Sequence, residues 1–179
     1  MRVCSTGKRS TYSRGYTVDR LVVVGDSIAF GQFVHPHKTW VHLLSEAAPI
    51  PIDNFSWCGD TTRIALEHSM PMVQRDGCSL AYVQLGINDA NRWETDHGQP
   101  RVSRDAYTAN MSEIVARLKA CGARRVIVGT NHTGPNYDDT LGKFDVVQHP
   151  KSDVLADGVH LSEDGHRKYF ERIRAALGW

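Results

Sequence analysis

Leu21-Val22-Val23-Val24 is an unbroken apolar run that stops at Gly25. A strand with one wet face alternates apolar and polar residues. A run without alternation is apolar on both faces and needs cover on both. Leu80-Ala81-Tyr82-Val83-Gln84-Leu85, stopped by Gly86, reads the same way, as does Val126-Ile127-Val128, stopped by Gly129. Residues 51–57 and 144–147 are weaker candidates, read as edge strands. Buried strands of this kind belong to parallel sheets, whose crossover connections are usually helices.

Helical spacing falls between the runs. Trp40, Val41, Leu43, Leu44 and Ala47 predict a helix over 39–48, stopped by Pro49. A second is predicted over 61–70, stopped by Pro71. The strongest pattern is 103–121, where Tyr107, Met111, Ile114, Val115 and Leu118 form one face, with Ser103 placed to cap and Gly122 to terminate. The last helix begins near Ser162. Glu163 and Asp164 favour its dipole, and Tyr169, Phe170, Ile173 and Leu177 form its apolar face. This alternation predicts one α/β domain over 19–179, a parallel sheet between two layers of helices. Residues 1–18 carry Arg2, Lys8, Arg9 and Arg14 but no acid, and lack the apolar centre of a secretory signal. They read as a poorly structured tail, and the cytoplasm is the expected compartment, with an organelle transit peptide as the lesser option.

Charge narrows the partners. The chain has 179 residues, with 21 Lys plus Arg against 20 Asp plus Glu, a formal net charge of +1. So even a balance gives no global field to hold a polyanion, which argues against nucleic acid or an anionic membrane as the main partner. No apolar run approaches the roughly 18 residues of a membrane span. Cys4, Cys58, Cys78 and Cys121 include no CxxC pair, so neither a disulfide scaffold nor a zinc finger is expected. Cys58 reads as a small, partly buried residue rather than a nucleophile. His35 and His37 flank Pro36 and read as loop residues, with metal binding as the lesser option.

In a parallel α/β sheet, ligands bind beyond the carboxyl ends of the strands. The residues there are chemically capable. Gly25-Asp26-Ser27 can present a serine hydroxyl at the sheet edge, or simply cap a helix. Trp57-Cys58-Gly59 offers an accessible Gly59 N–H, or an ordinary turn. Gly86-Ile87-Asn88-Asp89 can aim the Asn88 amide into a cleft, or serve as a turn. Asp157-Gly158-Val159-His160 places a carboxylate three residues before a histidine, where it can fix the tautomer and leave Nε2 as a base.

Taken together and in this order, the four blocks resemble the SGNH hydrolases, also called the GDSL esterase/lipase family. The resemblance covers about residues 20–175, with Gly25-Asp26-Ser27-Ile28 standing where the family name has GDSL. It implies a three-layer α/β/α, flavodoxin-like fold and serine-dependent ester hydrolysis without metal or organic cofactor. On that reading Ser27, Asp157 and His160 are catalytic, and Ser27, Gly59 and Asn88 hold the oxyanion. Asp26 and Asp89 brace the two turns. Trp57, Trp93, Asn131 and His132 are candidate substrate-binding residues. The stretch 136–156 is shorter than is usual in the family, reducing the expected helix to a turn or two around 137–143 and leaving the fifth strand open.

Polar loops around the site point to a short acyl group on a hydrophilic alcohol, such as an acetylated sugar or small metabolite. The same residues also suit a thioesterase, a lysophospholipase or an acyltransferase, and a binding module that has kept the fold is an alternative of another class.

Overall fold

The computed structural model describes residues 19–151 and 153–179, so the expected tail at 1–18 lies outside the described residues. Five strands form one sheet: β1 (Leu21–Gly25), β2 (Ile52–Asn54), β3 (Leu80–Gln84), β4 (Arg125–Gly129) and β5 (Asp145–Val147). Their order is β2-β1-β3-β4-β5, with every neighbouring pair parallel.

Every residue of β1 is buried, as its unbroken apolar run requires. Leu21 and Val23 face one layer with Tyr82 and Ile127. There they meet Trp40 and Leu44 of α2 (Trp40–Ala47) and Tyr169 and Ile173 of α7 (Glu163–Leu177). Val22 and Val24 face the other layer with Val83 and Val128. That layer is filled by Met111, Ile114 and Leu118 of α6 (Arg104–Ala120) and by Met70 and Val73 of α4 (Ser69–Asp76). The remaining helices are short: α1 (Ser27–Phe30), α3 (Thr62–Glu67) and α5 (Ile87–Ala90). Ser103 caps α6 as expected, accepting from the Ala106 N–H, and Ser162, near which the last helix was expected to begin, caps α7 through the Gly165 N–H.

Three segments differ from the sequence reading. The helix expected over 61–70 breaks at His68 and restarts as α4, with Pro71 in its first turn. Proline cannot donate to the carbonyl four residues back, here Glu67, but is tolerated in a first turn, where the N–H has no acceptor anyway. The strand expected over 51–57 pairs regularly only at 52–54. Beyond it, the Phe55 and Trp57 N–H groups still donate to the Val23 and Gly25 carbonyls at 2.8 and 3.3 Å, which carries the chain to Gly59 beside the end of β1. The fifth strand is present. A 3-10 turn at Asp138–Lys143 makes the crossover, and β5 pairs with β4 through Val128↔Val146.

The sheet reverses its direction of winding between β1 and β3. At such a switch point the two following loops part and leave a crevice. The Ser27 block follows β1 and the Asn88 block follows β3, so both reach that crevice from below.

Gly25 is fixed by space. A Cβ there would lie 2.8 Å from the Ala29 Cβ and 3.1 Å from the Gln84 carbonyl oxygen. Gly25→Ala should therefore cost about 1–3 kcal/mol through overpacking. Urea unfolding checks this, and an unchanged midpoint would show that the first turn of α1 yields freely.

Candidate active site

Ser27 opens α1, so its N–H has no acceptor within the helix. Asp26 caps the helix by accepting from the Ile28 N–H at 3.0 Å, which fixes the turn that presents Ser27. The Ser27 Oγ lies 3.0 Å from His160 Nε2, and His160 Nδ1 lies 2.7 Å from Asp157 Oδ2. Asp157 also accepts from the Val159 and His160 N–H groups at 2.9 and 3.0 Å. These two backbone bonds and the imidazole contact hold its carboxyl down at about 2, with the Val159 bond contributing most. A carboxylate ionised so far below neutrality keeps the proton on Nδ1 and leaves Nε2 free to accept one from Ser27.

The residues expected to hold an oxyanion line the same cavity, about 350 Å³ in volume, with Ser27, Gly59, Asn88 and His160 in its wall. Gly59 adopts φ +82°, a conformation side chains rarely take. Its carbonyl accepts from Arg101 Nη1 at 3.0 Å, which ties down the peptide that follows it. The Arg101 guanidinium in turn sits 4.7 Å from the centre of the Trp93 ring. Asn88 lies in α5, and its Nδ2 donates one hydrogen to the Asp60 carbonyl at 3.0 Å, leaving the second for the cavity. Asp89 ties α5 to α3, accepting from the Thr62 N–H at 3.0 Å and from its hydroxyl at 2.5 Å.

All five residues expected to react or to hold the oxyanion thus line one cavity. The four candidate substrate residues do not. Trp57 and Trp93 are exposed outside the lining, and Trp93 braces Arg101. Asn131 is buried, its amide donating to Leu85 O and Asp138 Oδ1 at 3.3 and 2.8 Å. His132 is buried with Nε2 2.8 Å from the Val159 carbonyl and Nδ1 2.7 Å from the Tyr169 hydroxyl. A carbonyl only accepts, so Nε2 carries the proton and Nδ1 accepts from Tyr169. His132 therefore anchors the loop that carries His160. Asn131 and His132 also line a separate cavity that shares Gly134 with the first.

Cys58 is exposed rather than partly buried as expected. Desolvation and the nearby Asp26 and Asp60 carboxyls push its thiol up, away from the nucleophilic thiolate. Among the described residues, no group of three or more His, Cys, Asp or Glu side chains is placed to hold a metal ion, and no helix is long and apolar enough to cross a membrane. Sequence reasoning missed Arg101. It lies 42 positions from Gly59 with no spacing signal to join them.

Known proteins resemble this chain in sequence and in fold. Residues 23–146 match the model of the GDSL-like lipase/acylhydrolase family. The chain belongs to that family. The match ends before Asp157 and His160, which the fold alone brings to Ser27. An arylesterase from Vibrio mimicus is 29% identical over 124 residues, covering 66% of this chain and 58% of the relative. The chain thus spans somewhat over half the length of that relative. The crystal structure of TesA superposes with a TM-score of 0.71 at 20% identity, covering 89% of this chain and 98% of that one. Axe2, an acetylxylan esterase from Geobacillus stearothermophilus, superposes with a TM-score of 0.68 at 16% identity, covering 92% and 97%. At these identities, the two structures attest the fold.

Asp26 links the site to stability. Burial pushes its carboxyl up to about 7, with the charges of Asp89 and Asp60 adding and the Ile28 N–H bond opposing. The folded chain therefore holds a proton that the unfolded chain releases near pH ~4. The associated stabilisation is complete below that value and is lost as pH rises through 7. Buried His149 and His166, held down at about 3 and 4 by desolvation, act in the opposite sense, so the variant must be compared with the parent at each pH. Asp26→Asn should gain stability relative to the parent between pH 5 and pH 8, measured by urea midpoints. A pH-independent difference would mean that Asp26 keeps an ordinary carboxyl in the fold.

Proposed function

We propose that this chain hydrolyses short-chain carboxylic esters of a sugar or small metabolite through a covalent acyl-serine. The observation that carries the reading is the continuous hydrogen-bond path from Asp157 through His160 to Ser27 Oγ, opening on one cavity with the Gly59 and Asn88 donors.

His160 Nε2 takes the Ser27 proton as Oγ bonds to the acyl carbon. The carbonyl oxygen becomes an oxyanion facing the N–H groups of Ser27 and Gly59 and the free hydrogen of the Asn88 amide. The imidazolium, stabilised by Asp157, gives its proton to the alcohol oxygen as the ester C–O bond breaks. Water then enters, gives a proton to His160, and the acyl-serine is cleaved by the same steps in reverse.

Three features support a short acyl group. The cavity, at about 350 Å³, lies near the lower end for ligand sites. The loops beside it carry Thr133, Asn136, Lys151 and Asp153 rather than an apolar tunnel. One solved neighbour is named an acetylxylan esterase.

A 4-nitrophenyl ester series at fixed pH, below micelle-forming concentrations, tests the reading. Acetyl and butyryl esters should outrun octanoyl and longer ones in kcat/KM. A real acyl tunnel would gain about 0.8 kcal/mol per buried CH₂, so a steady rise to dodecanoyl would favour a lysophospholipase or thioesterase instead. In the same assay Ser27→Ala should be inactive while folded. Asn88→Ala should lose about 10²–10³ in kcat with little change in KM. A change in KM alone would assign Asn88 to ground-state binding.

A further inference from the structure

We propose that Phe33 is the specificity-determining residue for the alcohol half of the ester, taking the flat face of a ring-bearing leaving group. The inference rests on the ester-hydrolase reading above.

Phe33 is anomalous in two ways. Its φ is +69°, in the left-handed region that bulky side chains rarely enter. Its side chain is not compensated by burial, since the residue is 70% exposed. Strain of this kind persists where the surrounding chain imposes it, and clusters at functional sites. Here α1 ends on Gly31, itself left-handed at φ +84°, and the Gln32 N–H is drawn back onto the Ser27 carbonyl at 3.0 Å. The chain turns sharply, and Phe33 emerges beside the catalytic loop. Its ring meets that of His160 at 5.0 Å between centroids, with planes 83° apart.

The chemistry of His160 says which half of the substrate lies there. In acylation the Ser27 Oγ–acyl bond forms, the ester C–O bond breaks, and the proton leaving Oγ passes through Nε2 to the departing alcohol oxygen. The alcohol must therefore sit on the His160 side of Ser27, while the acyl oxygen faces Gly59 and Asn88. Phe33 borders the alcohol. Gln32 lines both the Ser27 cavity and an adjoining groove of about 510 Å³ walled by Phe30, Phe33, Val34 and Val41. Thr39 and His42 give that groove a polar edge. Apolar walls with a polar edge suit a ring with an apolar face, aromatic or pyranose, and offer little to a small acyclic alcohol.

Deacylation involves water and no alcohol, so Phe33 acts only while the alcohol leaves or when an alcohol replaces water. The test compares the parent, Phe33→Ala and Phe33→Tyr on phenyl acetate, an acetylated methyl glucopyranoside and ethyl acetate. Phe33→Ala should lower kcat/KM on the ring-bearing esters about 3- to 10-fold, the range of aromatic ring contacts. Ethyl acetate should stay within about twofold, as for an exposed substitution. Phe33→Tyr should restore the parent values, and loss on only one ring ester identifies the ring type. In a second measurement, the acetyl-enzyme is partitioned between water and benzyl alcohol or ethanol. Capture by benzyl alcohol should fall in Phe33→Ala, and capture by ethanol should not. Equal loss on all three esters would overturn the proposal and make Phe33 a positioning residue for His160. No loss on any ester would overturn it outright. A parent enzyme that cleaves none of them would overturn the ester-hydrolase reading itself, and this inference with it.

Discussion

Ser27 Oγ and His160 Nε2 meet at 3.0 Å across 133 positions of chain. No local structure can make that contact, so both ends have to be held by the fold. Ser27 is held at the end of the most deeply buried strand, where Gly25 lets α1 start hard against β3 and Asp26 caps its first turn. His160 is held by a loop with three anchors. Asp157 folds back onto its own backbone, His132 grips the Val159 carbonyl, and the Leu155 N–H donates to the His160 carbonyl at 2.7 Å. Tyr169 of α7 supports His132 from beneath. The sheet core thus extends to the reacting atoms through a short series of hydrogen bonds. Such support from behind keeps a catalytic geometry from loosening.

Electrostatics around the serine are unusual for their acid content. Asp26, Asp60 and Asp89 are all buried. Desolvation pushes Asp60 and Asp89 each up to about 6, and Asp26 higher still. Three ionised carboxylates here would oppose a developing oxyanion. Raised affinities for protons soften that opposition near neutrality, while the carboxyl groups still serve as caps and ties. Asp157, hydrogen-bonded to the His160 imidazole, is instead held low chiefly by backbone N–H groups. Burial separates the two kinds of aspartate: it outweighs even the Thr62 bonds to Asp89, whereas exposed Asp157 keeps the full effect of its hydrogen bonds.

Legibility followed physical range. The unbroken runs at Leu21–Val24 and Val126–Val128 announced parallel strands, because cover on both faces leaves no room for alternation. Ser27, Gly59, Asn88 and His160 were legible because strand ends and short turn motifs are local. Their order along the chain follows from the sheet order. Longer-range features were not legible. Arg101 reaches Gly59 from another loop, and nothing in its own neighbourhood marks it. Trp57 and Trp93 were read as pocket residues from their nearness in sequence to Gly59 and Asn88, but nearness does not fix which way a side chain turns. His132 and Asn131 follow β4 as expected, yet both ring nitrogens of His132 are taken by Val159 and Tyr169, and the Asn131 amide nitrogen by Leu85 and Asp138. Pro71 marked a boundary, and the break falls three residues before it because the proline removes a donor to Glu67.

Ester cleavage at this site requires Ser27 to be an activated nucleophile. Covalent trapping with a fluorophosphonate, followed by peptide mapping, asks this directly. Stoichiometric labelling of Ser27 is expected, slowed strongly in His160→Ala, because the hydroxyl attacks phosphorus readily only when Nε2 accepts its proton. Unlabelled protein that is otherwise folded, or label found on Cys58 or another side chain, would contradict it.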